Sequence, residues 1–370
     1  MSRSTQQTRR VLISGALISV FFAMLDTSMA ADPLRAPWDT PPALSPIAPA
    51  TCPPPPTLPA EINVTSYYAD AAHSVVLAGR KAAYDEDVGS LRDAATMAAT
   101  MADRYRESGD QASARCAASW LASFASHGAL TGTMATNQSV YVQGWIMGAF
   151  AVVALKVRPA AESTNDWRQT TDWLTRIADA QVAYYDARTT NVDGRNNHRY
   201  WAGFAVMSAG IAGEQRALFD WGVASFRMGA AQITPDGTLP LEMSRAARAL
   251  HYHLFATAPL VMIAELAMAN GLDLYSENSQ ALLRLIRRGV SGLSDPSFFA
   301  ERAGCAQEPV RLSAGDIVWA APYAERFSDA DAARMVARAH STAFVYLGGR
   351  PPAAMPNLPL KIGPGQKQVR

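Results

Sequence analysis

The chain has 370 residues, 49% of them hydrophobic and 18% charged, with 33 Lys and Arg against 32 Asp and Glu. This is the composition of a globular protein with a sizeable core and one or two domains, and it excludes wholesale disorder. Balanced charge gives no drive onto nucleic acid or an anionic membrane, and three cysteines are too few for a disulfide scaffold.

The chain opens on an export pattern. Arg3, Arg9 and Arg10 precede an apolar run from Val11 to Leu25, which is short for a membrane span. Ser28 and Ala30 suit a signal-peptidase site. Residues 1–30 are therefore expected to be a signal peptide, and the mature chain periplasmic or secreted and free of the membrane. Arg9-Arg10 leaves the twin-arginine route open. In an oxidising compartment, Cys52, Cys116 and Cys305 leave at least one thiol free. Cys116, in an apolar helical stretch, is expected buried and unpaired, and Cys52–Cys305 is a possible bridge. No two cysteines have metal-ligand spacing, so zinc is not supported, and no cofactor is expected.

Of 23 prolines, 11 fall within residues 31–60 and 5 within 351–370. Residues 31–60 read as an extended lead-in, 61–350 as one domain and 351–370 as a flexible tail. Ala-rich runs of helical length follow one another: Ser90–Glu107, Asp110–Ser126, Ser139–Lys156, Trp167–Tyr185, Tyr200–Ala212, Gln215–Ala230, Glu242–Ala269, Ser276–Val290 and Ala330–His340. Gly109, Gly128 and Asn270-Gly271 mark stops, and Ser276 offers a cap. Successive helices with short connections predict an all-α fold of stacked antiparallel pairs, which can close into a ring with a groove at one end. No heptad seam points to an obligate partner, and the chain reads as a monomer.

Two polar clusters carry the chemistry. The first runs from Asn191 through Asp193, Arg195, Asn196, Asn197 and His198 to Trp201, ahead of an apolar helix. On its own, Asn at such a place is usually only a cap. The second holds Glu242, Arg245, Arg248, His251, Tyr252 and His253. On one continuous helix Arg245 and Tyr252 would share a face about 10 Å apart along the axis. Spacing alone favours a core tyrosine and surface arginines.

Together the clusters resemble the exported polymannuronate (alginate) lyases that adopt an α/α toroid. The family's Asn-Asn-His-x-Tyr-Trp element stands at Asn196–Trp201, and its Arg-Ala-Leu-x-Tyr-His element at Arg248–His253. Leu239-Pro240-Leu241-Glu242, Arg245, Leu218–Trp221, Leu347-Gly348-Gly349 and Cys52-Pro53 extend the likeness over roughly residues 50–350. The resemblance implies an α/α toroid built as an incomplete barrel of helix pairs, and catalytic roles for Asn197, His198, Arg245 and Tyr252. It also implies a mobile lid at Tyr67 and Tyr68, and groove positions at Gln143, Trp145, Trp201, Arg248 and His251. Core packing is the alternative for Trp145 and Trp201.

The expected chemistry is metal-independent β-elimination on an anionic polysaccharide. A base takes the C5 proton, the glycosidic oxygen leaves C4, and the product carries a C4–C5 double bond. Donors must neutralise the uronate carboxylate, a role for Asn197, Arg245 and His198. In mannuronate H5 and O4 lie on one side, so Tyr252 can serve as base and then acid, its pKa lowered by Arg245. His198 as base with Tyr252 as acid is the rival. Polyglucuronate, which differs at C2, is an alternative substrate, and a non-catalytic polysaccharide-binding protein is the rival class.

Overall fold

A computed structural model describes residues 32–45, 47–310 and 314–354. The expected signal peptide and residues 355–370 of the expected tail lie outside the described residues. From Leu34 onward the chain forms one compact unit. It is built of α-helices, and the β-pairing among the described residues is limited to isolated bridges.

The helices are α1 (Ala78–Asp87), α2 (Gly89–Ser108), α3 (Gln111–Ser126), α4 (Asn137–Ala161), α5 (Asn165–Asp186), α6 (Asn197–Ala212) and α7 (Arg216–Gln232). Then follow α8 (Pro240–Met243), α9 (Ala249–Ala269), α10 (Glu277–Ser294), α11 (Ser297–Ala303), α12 (Ala314–Ile317), α13 (Ala320–Phe327) and α14 (Ala330–Ala337). Helices α2, α4, α6 and α9 form an inner row, each packed on the next, and α3, α5, α7 and α10 form an outer row around it. This alternation is the α/α toroid. The inner α4 and α9 are apolar all round and almost wholly buried, as helices at the centre of a core must be. The outer α5 buries only one stripe, with Thr170, Trp173, Leu174, Ile177 and Gln181 facing inward.

Gly109 and Gly271 end helices in the left-handed conformation, as their positions suggest. Ser276 makes no side-chain cap, because Asn278, Ser279 and Gln280 behind it have φ near +50 to +60°. The run expected from Glu242 to Ala269 is not one helix. It breaks into α8, a 3-10 turn at Ala246–Arg248 and α9, with Ala246 at φ +50°.

The lead-in is docked along α2 and α3. Ser45 N–H donates to Ser108 O at 2.8 Å, Ala50 N–H to Asp110 Oδ2 at 3.1 Å, and Trp120 Nε1 to Pro53 O at 2.9 Å. This course brings Cys52 over α3, where it forms a disulfide with Cys116, Cα–Cα 5.5 Å. The expected pairing is thereby corrected: Cys116 is buried but bonded, and Cys305 is the free thiol.

Candidate active site

Both polar clusters reach one cavity of about 290 Å³ at the end of the inner row. Tyr67, Tyr68, Trp145, His198, Arg248, His251 and Tyr252 line it, together with His73, Gln138, Phe255 and Tyr346. Asn197 and Arg245 lie behind this lining, 0% and 4% exposed.

The α6 wall is fixed by its helix start. Asn196 caps α6, its Oδ1 accepting His198 N–H at 3.0 Å. Asn197 turns inward onto Glu242, donating from its backbone N–H at 2.8 Å and from Nδ2 to both carboxylate oxygens at 3.0 Å. A carboxylate only accepts, so this contact orients the Asn197 amide and leaves its buried Oδ1 without a partner. The free group of Asn197 is thus an acceptor, where the sequence suggests a donor. The His198 ring stacks on Tyr141, centroids 3.8 Å apart, and its Nδ1 has no partner. Burial first, then the charge of Arg245, pushes the His198 pKa down to about 3, so the imidazole is neutral. Tyr141 is held in turn by Asp193, to which Tyr141, Tyr184 and Arg188 all donate.

The opposite cluster is shaped by the break before α9. Fully buried His253 accepts Leu239 N–H on Nε2 at 2.9 Å and, with its proton on Nδ1, donates to Ala249 O at 2.7 Å. Gln307 bonds Leu250 N–H and Ala246 O, both at 3.0 Å. These contacts pin a segment that no regular helix satisfies. Arg245 therefore does not ride two turns along one face from Tyr252. The compressed turn instead sets its guanidinium 4.6 Å from the centre of the Tyr252 ring, while Arg248 stands 5.4 Å away. Arg245 also pairs with buried Glu242 at 3.4 Å.

A hairpin covers this cluster. Ala69 N–H bonds Val75 O and Leu77 N–H bonds Tyr67 O, both at 2.9 Å, with His73 at the tip at φ +56°. Tyr252 donates its hydroxyl to Tyr68 at 2.9 Å, Arg248 donates to the same oxygen, and Arg245 donates to Ala72 O at 3.4 Å. The Tyr252 pKa is raised well above the usual phenol value, by burial first and then by Tyr68, against the pull of Arg248 and Arg245. The expectation of a lowered Tyr252 pKa is thereby corrected.

Two expected groove positions lie elsewhere. Gln143 is buried between Leu130 O and Gln181, and Gln138, five residues earlier, lines the cavity instead. Trp201 is 1% exposed and donates to Phe255 O, behind the lining. Sequence reasoning left out His73, Tyr346 and the supporting role of Glu242. A glutamate three residues before Arg245, in a run otherwise destined for burial, is the signal that could have flagged the last. Among the described residues no group of three or more His, Cys, Asp or Glu is placed to hold a metal ion.

Comparison with known proteins shows the family. The alginate lyase family model matches residues 39–299. A polysaccharide lyase of Stenotrophomonas maltophilia is 40% identical over 71% of this chain and 80% of its own length. An alginate lyase of Azotobacter vinelandii is 33% identical over 72% of each. Among solved structures, alginate lyase A1-III complexed with a tetrasaccharide superposes with a TM-score of 0.72 at 25% identity, covering 91% of this chain and 89% of that one. The same enzyme from Sphingomonas species A1 gives 0.67 at 26% identity, over 80% and 83%. With an α/α toroid and a family match over most of its length, the chain belongs to the alginate lyase family of polysaccharide lyases.

Proposed function

We propose that the protein cleaves uronate polymers, mannuronate-rich alginate foremost, by β-elimination. The observation that carries this reading is the meeting of Tyr252, the His198 ring and the Arg248 guanidinium at one cavity, with the Arg245 guanidinium behind the lining 4.6 Å from the Tyr252 ring. Tyr252 removes H5. The C5–H electron pair becomes the C4–C5 double bond, the C4–O bond breaks, and Tyr252 returns the proton to the leaving oxygen. A sugar entering at Tyr68 displaces the contact that helps hold the phenol proton. Arg248 and Arg245 then lower the Tyr252 pKa against burial alone.

Arg245 and Arg248 supply positive charge to the uronate carboxylate, which makes H5 more acidic and stabilises the enolate-like intermediate. His198 contributes a neutral ring rather than a cation. Asn197 works one layer deeper, holding Glu242 against Arg245. The neutral imidazole also supports the second assignment, His198 as base with Tyr252 as acid. The two separate by kinetics: His198→Gln keeps part of kcat in the first and abolishes it in the second.

Glucuronate shares the C4 and C5 configuration, and the relative at 40% identity carries the broader name of polysaccharide lyase. The deciding experiment follows ultraviolet absorbance of the unsaturated product with polymannuronate, polyguluronate, polyglucuronate and hyaluronan. A rise with polymannuronate supports the primary reading, and a larger rise with a glucuronate polymer moves the substrate. No rise from folded protein sinks the lyase mechanism. We also place the working protein outside the cytoplasm, supported by the signal pattern and the Cys52–Cys116 disulfide. N-terminal mass analysis of the exported chain should find it beginning at Ala31.

A further inference from the structure

An imidazole at a reaction site is ordinarily oriented by a hydrogen bond on the ring nitrogen turned away from the substrate. In His198 the buried Nδ1 has no such partner. What holds the ring is its face. Tyr141 on α4 lies against it, centroids 3.8 Å apart and 21° from parallel, and Trp145, one turn further along α4, stands 6.2 Å away at 26°. The place of the Tyr141 ring therefore decides the place of the imidazole. That ring is tied at its far end, where the hydroxyl donates to Asp193 Oδ2 at 2.8 Å. Asp193 is buried in the turn before α6. Its Oδ2 also accepts Tyr184 from α5 at 3.0 Å and Arg188, just past α5, at 2.9 Å. Against burial, the bonds from Arg188, Tyr141 and Tyr184 hold the Asp193 carboxyl below its ordinary value, so it is an anion. The next residue, Gly194, packs so closely on Arg188 that a Cβ there would come within 2.0 Å of the carbonyl oxygen. The turn that carries the carboxylate is thereby pinned to the end of α5.

We propose that Asp193 is a positioning residue for His198, acting through the Tyr141 phenol to fix the aromatic plate that sets the height and tilt of the imidazole. The proposal rests on the uronate-lyase reading above and holds whichever of His198 and Tyr252 is the base. Asp193 and Tyr141 stand behind the cavity lining, so their effect on the reaction runs through His198. Tyr184 and Arg188 already pin the turn to α5, and the Tyr141 bond alone leads on to the site. The carboxylate also shapes the field of the plate. A phenol that donates to an anion has a more electron-rich ring, and such a face favours an imidazole as it gains positive charge.

The test takes the bonds to this one carboxylate apart in the full mature protein. Turnover of the responsive polymer is read beside the proton NMR signals of the His198 ring, assigned by their loss in His198→Gln. In the parent these signals lie upfield, shifted by the ring current of Tyr141. Tyr141→Phe keeps the plate and cuts its tie, and Asp193→Asn keeps the shape and removes the charge. Each should lower kcat about tenfold with KM little changed, the cost of loosening a placed group rather than deleting it. Each should also move the His198 signals toward those of free histidine. Tyr184→Phe loses a bond to the same carboxylate but leads to no catalytic group, and should change neither reading. Circular dichroism checks folding, and Tyr141→Phe carries the test if Asp193→Asn does not fold. If folded variants keep the parent kcat, or the His198 signals stay in place, Asp193 does not position His198. If Tyr184→Phe costs as much as Tyr141→Phe, the carboxylate merely braces the turn. If the parent turns over no polymer, the lyase reading falls, and the His198 signals alone decide whether Asp193 holds the ring.

Discussion

The two walls of the cavity are built in opposite ways. On the α6 wall, Asn197 and His198 are buried, the helix start is capped by Asn196, and Glu242 and Tyr141 press on both residues from behind. The hairpin wall carries Tyr67, Tyr68 and His73 on a loop whose Val75, Val76 and Leu77 are 51%, 41% and 36% exposed. Its contacts with the opposite cluster are hydroxyl and carbonyl bonds that a sugar hydroxyl can replace. The difference teaches where each job belongs. Residues that need fixed geometry sit where packing over-determines it, whereas the hairpin has few buried apolar contacts to hold it.

Breaking the buried residues on which the two walls converge should cost most. Tyr252→Phe keeps the ring between the two guanidinium groups but removes the proton carrier. The kcat on the responsive polymer should fall by on the order of a thousandfold or more, with KM little changed. Glu242→Gln keeps the shape of the Asn197 and Arg245 support but removes its charge. A kcat loss of about a hundredfold is expected in a protein that still folds, read from product absorbance and circular dichroism. Retention of full kcat would show that Arg245 is positioned by the hairpin instead.

The buried histidines also give an acid signature. His198 and His253 are pushed down to about 3 and about 4 by burial, while unfolded histidine titrates near 6.5. Their folded pKa values lie below the unfolded one, so their contribution is present above pH ~6.5 and lost as pH falls toward 4 and 3. Each should lower stability by about 1.4 kcal/mol per pH unit in that window. Urea midpoints between pH 7 and 4 check this, and His253→Gln should flatten the slope. On the hairpin side, Tyr68→Phe should change kcat/KM only about threefold, because one replaceable hydrogen bond is lost. Its sharper mark is a kcat profile moved to lower pH, since Tyr68 is among the causes that raise the Tyr252 pKa.

The helical class was legible because α2, α3, α5 and α7 carry an apolar stripe, and α2, α3 and α6 end at or beside glycines. The Asn196–Trp201 and Arg248–His253 elements were legible as chemistry because their residue types recur together in a family. What remained hidden was set by contacts distant in sequence. The break at Ala246–Arg248 depends on His253 and on Gln307, 57 residues after Leu250. The Cys52–Cys116 bridge depends on the path of a proline-rich strand across α3. Gln143 and Gln138 lie on one helix, and only the packing of Gln181 decides which of them meets the cavity.

Lys156 holds a last consequence. Buried in α4, it donates to Asp103 and to Gly348 O at 2.7 Å, and Asp103 also accepts Arg350 N–H at 2.9 Å. Gly349, at φ +97°, lies so close to Asp103 that a Cβ there would come within 2.3 Å of its carboxylate. This clasp fastens the segment that delivers Phe344 and Tyr346 to the cavity. The family match ends at residue 299, so part of the cleft is furnished by chain outside the matched stretch. The C-terminal clasp therefore sets where one edge of the cleft lies, although it contains none of the groups assigned to proton transfer.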